Sequence, residues 1–345
     1  MMMQLLFSMF SPLPSQMPTP EQFVQAAAAV APAWGLKPVA IEVLSHSENV
    51  VCRVGLPDRK QVVMRLHRPG YNSKAELESE VQWVASLAEA DIPVPTALPM
   101  LNGGHYCPVE VGVGPDREHR MVGVVEWVEG SPLGGPLTNA DKGVVAHYAT
   151  IGKLAGKIRE HHTGWDPPEG FQRRRWDLDG LLGSDPLWGR FWEVEALTDP
   201  QRALFNEARN ILRHELSELS MGPDRFGLIH SDLHLGNLMH DGDNLTVIDF
   251  DDAGFGWFSH ELACALHPGV GEPWFADARN ALVEGYRSVC PVTDDEIESI
   301  DTFLAIRSLM IVGWLDARPE LLAHQYFPLV VKGAQAAARA VCRHS

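Results

Sequence analysis

The sequence predicts an α+β protein of two lobes, a small antiparallel-sheet N-terminal lobe followed by a larger, mainly helical C-terminal lobe. Three observations carry this reading: short β-branched runs divided by turn residues before residue 130, a Gly- and Pro-rich interruption at 129–136, and helical periodicity beyond it, broken by one β-rich block at 227–256.

The elements follow in order. After Pro18-Thr19-Pro20, the apolar positions Phe23, Val24, Ala27, Ala28 and Val30 predict a first helix reaching about residue 34. The segments 41–44, 50–54 and 62–66, separated by Gly55, Pro57 and Asp58, predict an antiparallel meander. Over 74–89, Leu77, Val81, Val84 and Ala88 share one face of a 3.6-residue period, and Pro93-Val94-Pro95 ends that helix. Strands at 107–113 and 121–128 complete a sheet of about five strands with a covering helix. Further helices are expected at 142–161, 200–220, 260–266, 275–288 and 294–315. The domains are therefore an extension at 1–18, expected to be disordered, an N-terminal nucleotide-binding lobe at 19–130 and a C-terminal catalytic and substrate lobe at 131–345.

Composition excludes several classes. Hydrophobic residues at 45% and charged residues at 21% are those of a soluble globular chain rather than a disordered or fibrous one. No run approaches the ~20 apolar residues of a membrane helix, and Met1 to Phe10 carries no basic residue or small-residue cleavage site, so no secretory signal is expected. The five cysteines are scattered without a C-x-x-C pair, which fits reduced thiols in a cytoplasm. A net charge of −17 argues against nucleic acid as a partner. The charge is uneven: residues 201–300 hold 18 acidic residues against 6 Arg, while 51–80 come out at +2. Such an imbalance fits a solvated acidic surface or an acidic site for a cationic substrate.

The chemistry concentrates in 230–252. Phosphoryl transfer needs an aligned nucleophile and neutralised phosphates more than covalent help, and Mg2+ is held by carboxylate and amide oxygens. His230-Ser231-Asp232-Leu233-His234-Leu235-Gly236-Asn237 supplies an Asp and, five residues on, an Asn. A loop of that length lets Asp232 face a hydroxyl while Asn237 faces the metal. The turn 240–244 between apolar runs predicts a hairpin that returns the chain, so Asp249 arrives beside Asn237.

These two segments resemble the catalytic and metal-binding loops of the aminoglycoside phosphotransferase and choline kinase family, which implies a protein-kinase-like fold, ATP and Mg2+ as cofactors, and a hydroxyl acceptor. The resemblance makes Asp232 the catalytic base, Asn237 and Asp249 the metal ligands, and His230 a support of the loop. In the N-terminal lobe, Leu44 to Asn49 resembles the phosphate-covering hairpin of the stress response kinase A and type II homoserine kinase branch, which puts Ser47 over the phosphates. Arg65 stands where the family has its phosphate-holding lysine, with different reach and geometry. Glu80 matches the partner of that cation, and Glu126, Trp127 and Val128 lie in a segment that resembles the adenine-binding hinge. Glu261 takes a position where relatives usually carry Asp, and Arg307 to Arg318 resembles a helix of the same branch.

Other readings compete at each feature. His230, Asp232 and His234 alternate as a metal-hydrolase set would, and Asp249, Asp251 and Asp252 alone would pass for a polar turn. Trp165, Trp176, Trp188 and Trp192 read as core packing or as an aromatic cage for an ammonium group. Arg173-Arg174-Arg175 reads as a short solvated charge run. The leading expectation is an ATP- and Mg2+-dependent kinase of a small, cationic hydroxyl compound. The alternatives are a Ser/Thr protein kinase resembling stress response kinase A, and a nucleotide-binding regulator without turnover.

Overall fold

A computed structural model describes residues 18–47, 49–112, 114, 117–134, 143–242, 244–319 and 322–344. The expected extension at 1–18 lies outside these but for Pro18, as do Glu48 of the hairpin motif and the last two residues of the 129–136 linker.

Helix α1, Pro20–Val30, starts where the sequence signals it: Thr19 and Gln22 form a capping box and proline occupies the first turn. The meander follows as β1, Ala40–His46, β2, Val50–Gly55, and β3, Gln61–Leu66. Helix α2, Lys74–Glu89, is opened by a second capping box between Ser73 and Glu76. Strands β4, Tyr106–Val111, and β5, Glu118–Glu126, then complete a five-stranded antiparallel sheet of order β1-β2-β3-β5-β4. Val50, Cys52, Val54, Met64, Leu66, Val122 and Val124 bury one face of it against Phe23 and Ala27 of α1. The covering helix is thus α1. Helix α2 instead sends Trp83, Val84 and Leu87 into the core of the other lobe.

Strand β6, Ser131–Pro132, follows directly, and then α3, Gly143–Gly164, β7, Arg174–Trp176, α4, Leu178–Leu182, and α5, Asp199–Glu218. The β-rich block resolves into β8, Phe226–Ile229, β9, Leu238–Asp241, β10, Asn244–Val247, and β11, Gly254–Trp257. Helices α6, Phe258–Leu266, α7, Phe275–Arg287, α8, Asp294–Glu298, α9, Ile300–Asp316, and α10, Phe327–His344, finish the chain. Strand β9 pairs antiparallel with β10 on one side and β6 on the other, and β11 lies antiparallel to β8 but parallel to β7.

The fold differs from the expected elements in two places. The helix expected over 294–315 is two, because Ser299 turns its hydroxyl back onto the carbonyl of Glu296 (2.7 Å) and ends α8 before α9 begins. Helix α10 was not anticipated. Its buried positions Phe327, Val330, Val331, Ala334 and Ala338 recur at helical spacing and pack on α5 and α9, a pattern present in the sequence but overlooked.

Candidate active site

The loop from His230 to Asn237 leaves β8 with Ser231 in the left-handed region, φ 65°. That conformation is unfavourable for a residue with a Cβ. It is held by Glu261 of α6, whose carboxylate oxygens accept the backbone N–H of His230 (3.0 Å) and of Ser231 (2.6 Å). Burial pushes the Glu261 carboxyl up to about 7, although those two N–H donors pull it down. His230 is fully enclosed, and burial pushes its imidazole down to about 4. Its Nδ1 accepts the N–H of Asp232 (3.3 Å) while Nε2 donates to the carbonyl of Ile248 (3.0 Å), so it braces the loop.

Asp232 is gripped on both carboxylate oxygens. Arg307 of α9 donates from Nη2 to Oδ1, and Asn237 donates from Nδ2 to Oδ2 (2.9 Å) and to the Asp232 carbonyl (3.0 Å). His234 Nε2 lies 3.4 Å from Oδ2. Burial alone would raise the Asp232 carboxyl; His234 and Arg307 outweigh it and hold the group well below the usual carboxylate range. The side chain keeps 21% exposure, so the cleft still reaches it.

The hairpin of β9 and β10 returns the chain as the sequence implies, and the N–H of Ile248 donates to the carbonyl of Asn237 (2.9 Å). Two glycines allow other segments to press on this unit. A Cβ on Gly130 would lie 2.0 Å from the His240 carbonyl oxygen, and one on Gly134 would lie 2.6 Å from the Cα of Gly236. Asp249 follows with φ 68° and a side chain 48% exposed. Burial of its surroundings and the neighbouring Asp251 and Asp232 push its carboxyl up to about 7, against the pull of Arg65.

Arg65 of β3 meets these carboxylates across the cleft. Its Nη2 lies 2.6 Å from Asp249 and 3.1 Å from Asp251, and Nη1 lies 3.7 Å from Glu80 of α2. Burial disfavours its charge, but Asp251, Asp249 and Glu80 more than offset that and raise its pKa. Asp251 is also paired with the Asn49 amide and with His67 (3.4 Å), and is held far below its ordinary value. Contacts thus run from Asp232 to Asn237, whose carbonyl accepts the N–H of Ile248, the residue before Asp249, and from Asp249 through Arg65 to Glu80. The remaining predicted residues lie at the edges. Ser47 is exposed at the β1–β2 tip, where its N–H donates to the Asn49 carbonyl (3.1 Å). Glu126 spends its carboxylate on the N–H (2.9 Å) and hydroxyl (2.8 Å) of Thr96. Trp127 buries an indole N–H that finds no acceptor among the described residues, and Val128 is half-buried just after β5.

Several competing readings fail on geometry. Both ring nitrogens of His230 are engaged inside the loop, and among the described residues no three His, Cys, Asp or Glu side chains converge on a common metal position. The tryptophans are packing elements whose faces are partly taken: Arg307 stacks on Trp188 (4.2 Å) and Arg209 on Trp192 (3.8 Å), while Trp165 packs against His161 and Phe171. The run 173–175 is not a solvated charge run. Arg175 is half-exposed, but Arg173 and Arg174 are buried and bonded to the 249–253 loop. Asn49, His67, Arg173 and Arg307 are the contacts that motif reading overlooked. Arg307 did leave a signal, since a lone cation within the apolar run 303–315 must find a buried partner.

Comparison with known proteins gives the family. The model of the phosphotransferase enzyme family matches residues 40–297. Amicoumacin kinase of Bacillus subtilis (strain 168) is 25% identical over 321 residues, covering 90% of this chain and 88% of its own. The structure of a microcompartment-associated aminopropanol kinase is 30% identical with a TM-score of 0.76, covering 92% and 95% of the two chains. Amicoumacin kinase hAmiN in complex with AMP-PNP, Ca2+ and Ami shares the fold at a TM-score of 0.73 and 19% identity, covering 92% and 94%. The two lobes are those of a protein-kinase-like fold. The chain belongs to the phosphotransferase enzyme family and is a kinase, an enzyme that transfers a phosphoryl group to an alcohol hydroxyl.

Proposed function

We propose that the chain catalyses Mg2+-dependent transfer of the γ-phosphoryl group of ATP to a hydroxyl of a small, positively charged molecule. The observation that carries this is the fixing of Asp232: Arg307 and Asn237 occupy one oxygen each, leaving an ionised, partly exposed carboxylate with room for one more hydrogen bond. That is the group needed to orient an acceptor hydroxyl and receive its proton as the oxygen attacks.

The other residues fit a metal-bound nucleotide. The Nδ2 of Asn237 is spent on Asp232, which leaves Oδ1 as a ligand atom, and Asp249 is half-exposed among carboxylates whose surplus charge a divalent cation would relieve. Asn237 and Asp249 would hold Mg2+, which when bound supplies neutralisation of phosphate charge. Arg65 carries a guanidinium fork that is shared among Asp249, Asp251 and Glu80 and is within reach of the same space, so we assign it to the phosphates. Ser47 at the hairpin tip would cover them, and the backbone of Glu126, Trp127 and Val128 would meet adenine. We place the lobe boundary at the 129–136 linker.

The cationic acceptor rests on the 18 acidic against 6 basic residues in 201–300, a field that concentrates cations in a cleft. The aminopropanol named for the structural relative is an amino alcohol and agrees with it. The test is an acceptor panel of cationic, neutral and anionic hydroxyl compounds beside a denatured generic protein, assayed for ATP turnover at low and high salt. Preference for amino alcohols or amino sugars that weakens with salt supports the reading. Labelling of protein Ser or Thr without small-molecule turnover contradicts it in favour of a protein kinase, and ATP binding without any turnover would make the chain a nucleotide-dependent regulator.

A further inference from the structure

Arg173, just before β7, uses every donor it has. Nε donates to the carbonyl of Ala253 (2.7 Å) and Nη2 to those of Phe250 (2.8 Å) and Asp251 (2.9 Å). Nη1 donates to the carbonyl of Glu76 (3.0 Å) and to Oε2 of Glu80 (3.2 Å). A guanidinium has five N–H groups, and here all five are matched while the side chain is 0% exposed. Three of the bonds fix the backbone that follows Asp249, and two fix the first half of α2. Trp83 of α2 reinforces the link, standing edge-on to Phe250 with ring centroids 5.7 Å apart. Arg174 adds a grip on the same loop through Asp252 (2.9 Å) and on the carbonyl of Tyr71 (3.1 Å).

From this geometry we infer that Arg173 is a positioning residue for phosphoryl transfer, which locks the loop carrying Asp249 and the helix carrying Glu80 into one rigid body. Glu80 stands 3.2 Å from Arg173 and 3.7 Å from Arg65, so it belongs to the frame first and steadies Arg65 from there. The left-handed conformation of Asp249 is kept by carbonyls bonded on its C-terminal side, and with it the direction of its carboxylate. Helix α2 is therefore tied to the loop after Asp249 through Arg173 and the Trp83–Phe250 contact. Lysine cannot take this place: one ammonium offers three donors from a single nitrogen and cannot span four carbonyls and a carboxylate.

The inference rests on the assignment of Asp249 to the metal, and its test separates the two. Wild type and Arg173→Lys are titrated with Mg2+ in the presence of AMP-PNP by calorimetry, with thermal midpoints measured in parallel. Groups that orient a metal ligand are typically worth ~10- to 100-fold in metal affinity. The expected result is a rise of that size in the Mg2+ needed for half-maximal nucleotide binding, with Mg2+-free AMP-PNP affinity changed less than about threefold. A folded Arg173→Lys protein with unchanged Mg2+ dependence overturns the role of Arg173, whereas a wild type that shows no Mg2+-dependent binding overturns the metal assignment. If Arg173→Lys fails to fold, hydrogen exchange on nucleotide-free wild type decides: residues 74–82 and 249–254 should be protected to a similar degree. Rapid exchange of 249–254 beside a protected α2 would show that the two are not one body.

Discussion

Arg307 on α9 donates to Oδ1 of Asp232, 75 residues earlier in the chain, while its guanidinium lies on the Trp188 ring at 4.2 Å. The pair ties the Asp232 carboxylate to a helix of the large lobe and favours its ionised form despite its burial. Arg307→Met should preserve Mg2+·ATP binding but lower kcat by roughly 10²-fold, the scale of a misplacement of about 1 Å at the reacting group. Arg307→Lys should recover part of the loss. Steady-state kinetics with separate kcat and KM for ATP checks this, and a loss confined to KM would place Arg307 in nucleotide binding instead.

Arg65 tests the departure from the usual lysine. Its fork divides between Asp249 and Asp251 on one side and Glu80 on the other. Arg65→Lys should keep measurable activity, and Arg65→Ala should lose about two orders of magnitude in kcat/KM for ATP, the scale seen when a charged group acting on developing phosphate charge is removed. Full activity in Arg65→Ala would transfer the phosphates to another cation.

Glu261 predicts a pH dependence of stability. Its carboxyl is raised from 4.5 to about 7 by burial, so the folded state binds the proton more tightly than the unfolded one. The contribution is complete below about pH 4.5 and is lost as pH rises through about 7, a slope worth at most a few kcal/mol. Glu261→Gln should abolish this component while weakening the loop, because the two N–H groups use different carboxylate oxygens and one of those positions becomes an NH2 donor. Urea unfolding between pH 5 and 8 measures it; parallel pH profiles for wild type and variant would remove Glu261 as the cause.

Much of this site was legible before the fold was seen. Asp232, Asn237 and Asp249 stand in a fixed order around a hairpin whose turn residues declare it, and its pairing returns the chain from Asn237 to Ile248, next to Asp249. Helix α2 was legible for the same reason, with its Ser73–Glu76 box and one apolar face. What stayed hidden depends on distant partners. Arg173 looks like its solvated neighbour Arg175 until the parallel pairing of β7 with β11 brings 173 under the 249–253 loop. Asn49 and Asp251 meet across 202 residues, which no local period encodes.

Asp249→Ala should separate binding from chemistry. With a metal ligand gone, the Mg2+-dependent part of AMP-PNP affinity should fall by at least about tenfold while the Mg2+-free part remains. Calorimetry at several Mg2+ concentrations provides the comparison, and equal Mg2+ dependence in variant and wild type would take Asp249 out of the metal site.

The central claim is that Asp232 orients the acceptor hydroxyl in an ATP-dependent transfer, and 31P NMR of a reaction containing ATP, Mg2+ and the best acceptor from the panel tests it most directly. Wild type should produce ADP and a phosphomonoester in equal amounts. Asp232→Asn, with fold and AMP-PNP affinity unchanged, should produce both ~10²- to 10⁴-fold more slowly, the usual worth of a positioned general base. An Asp232→Asn protein that forms the phosphomonoester at close to the wild-type rate would contradict the account.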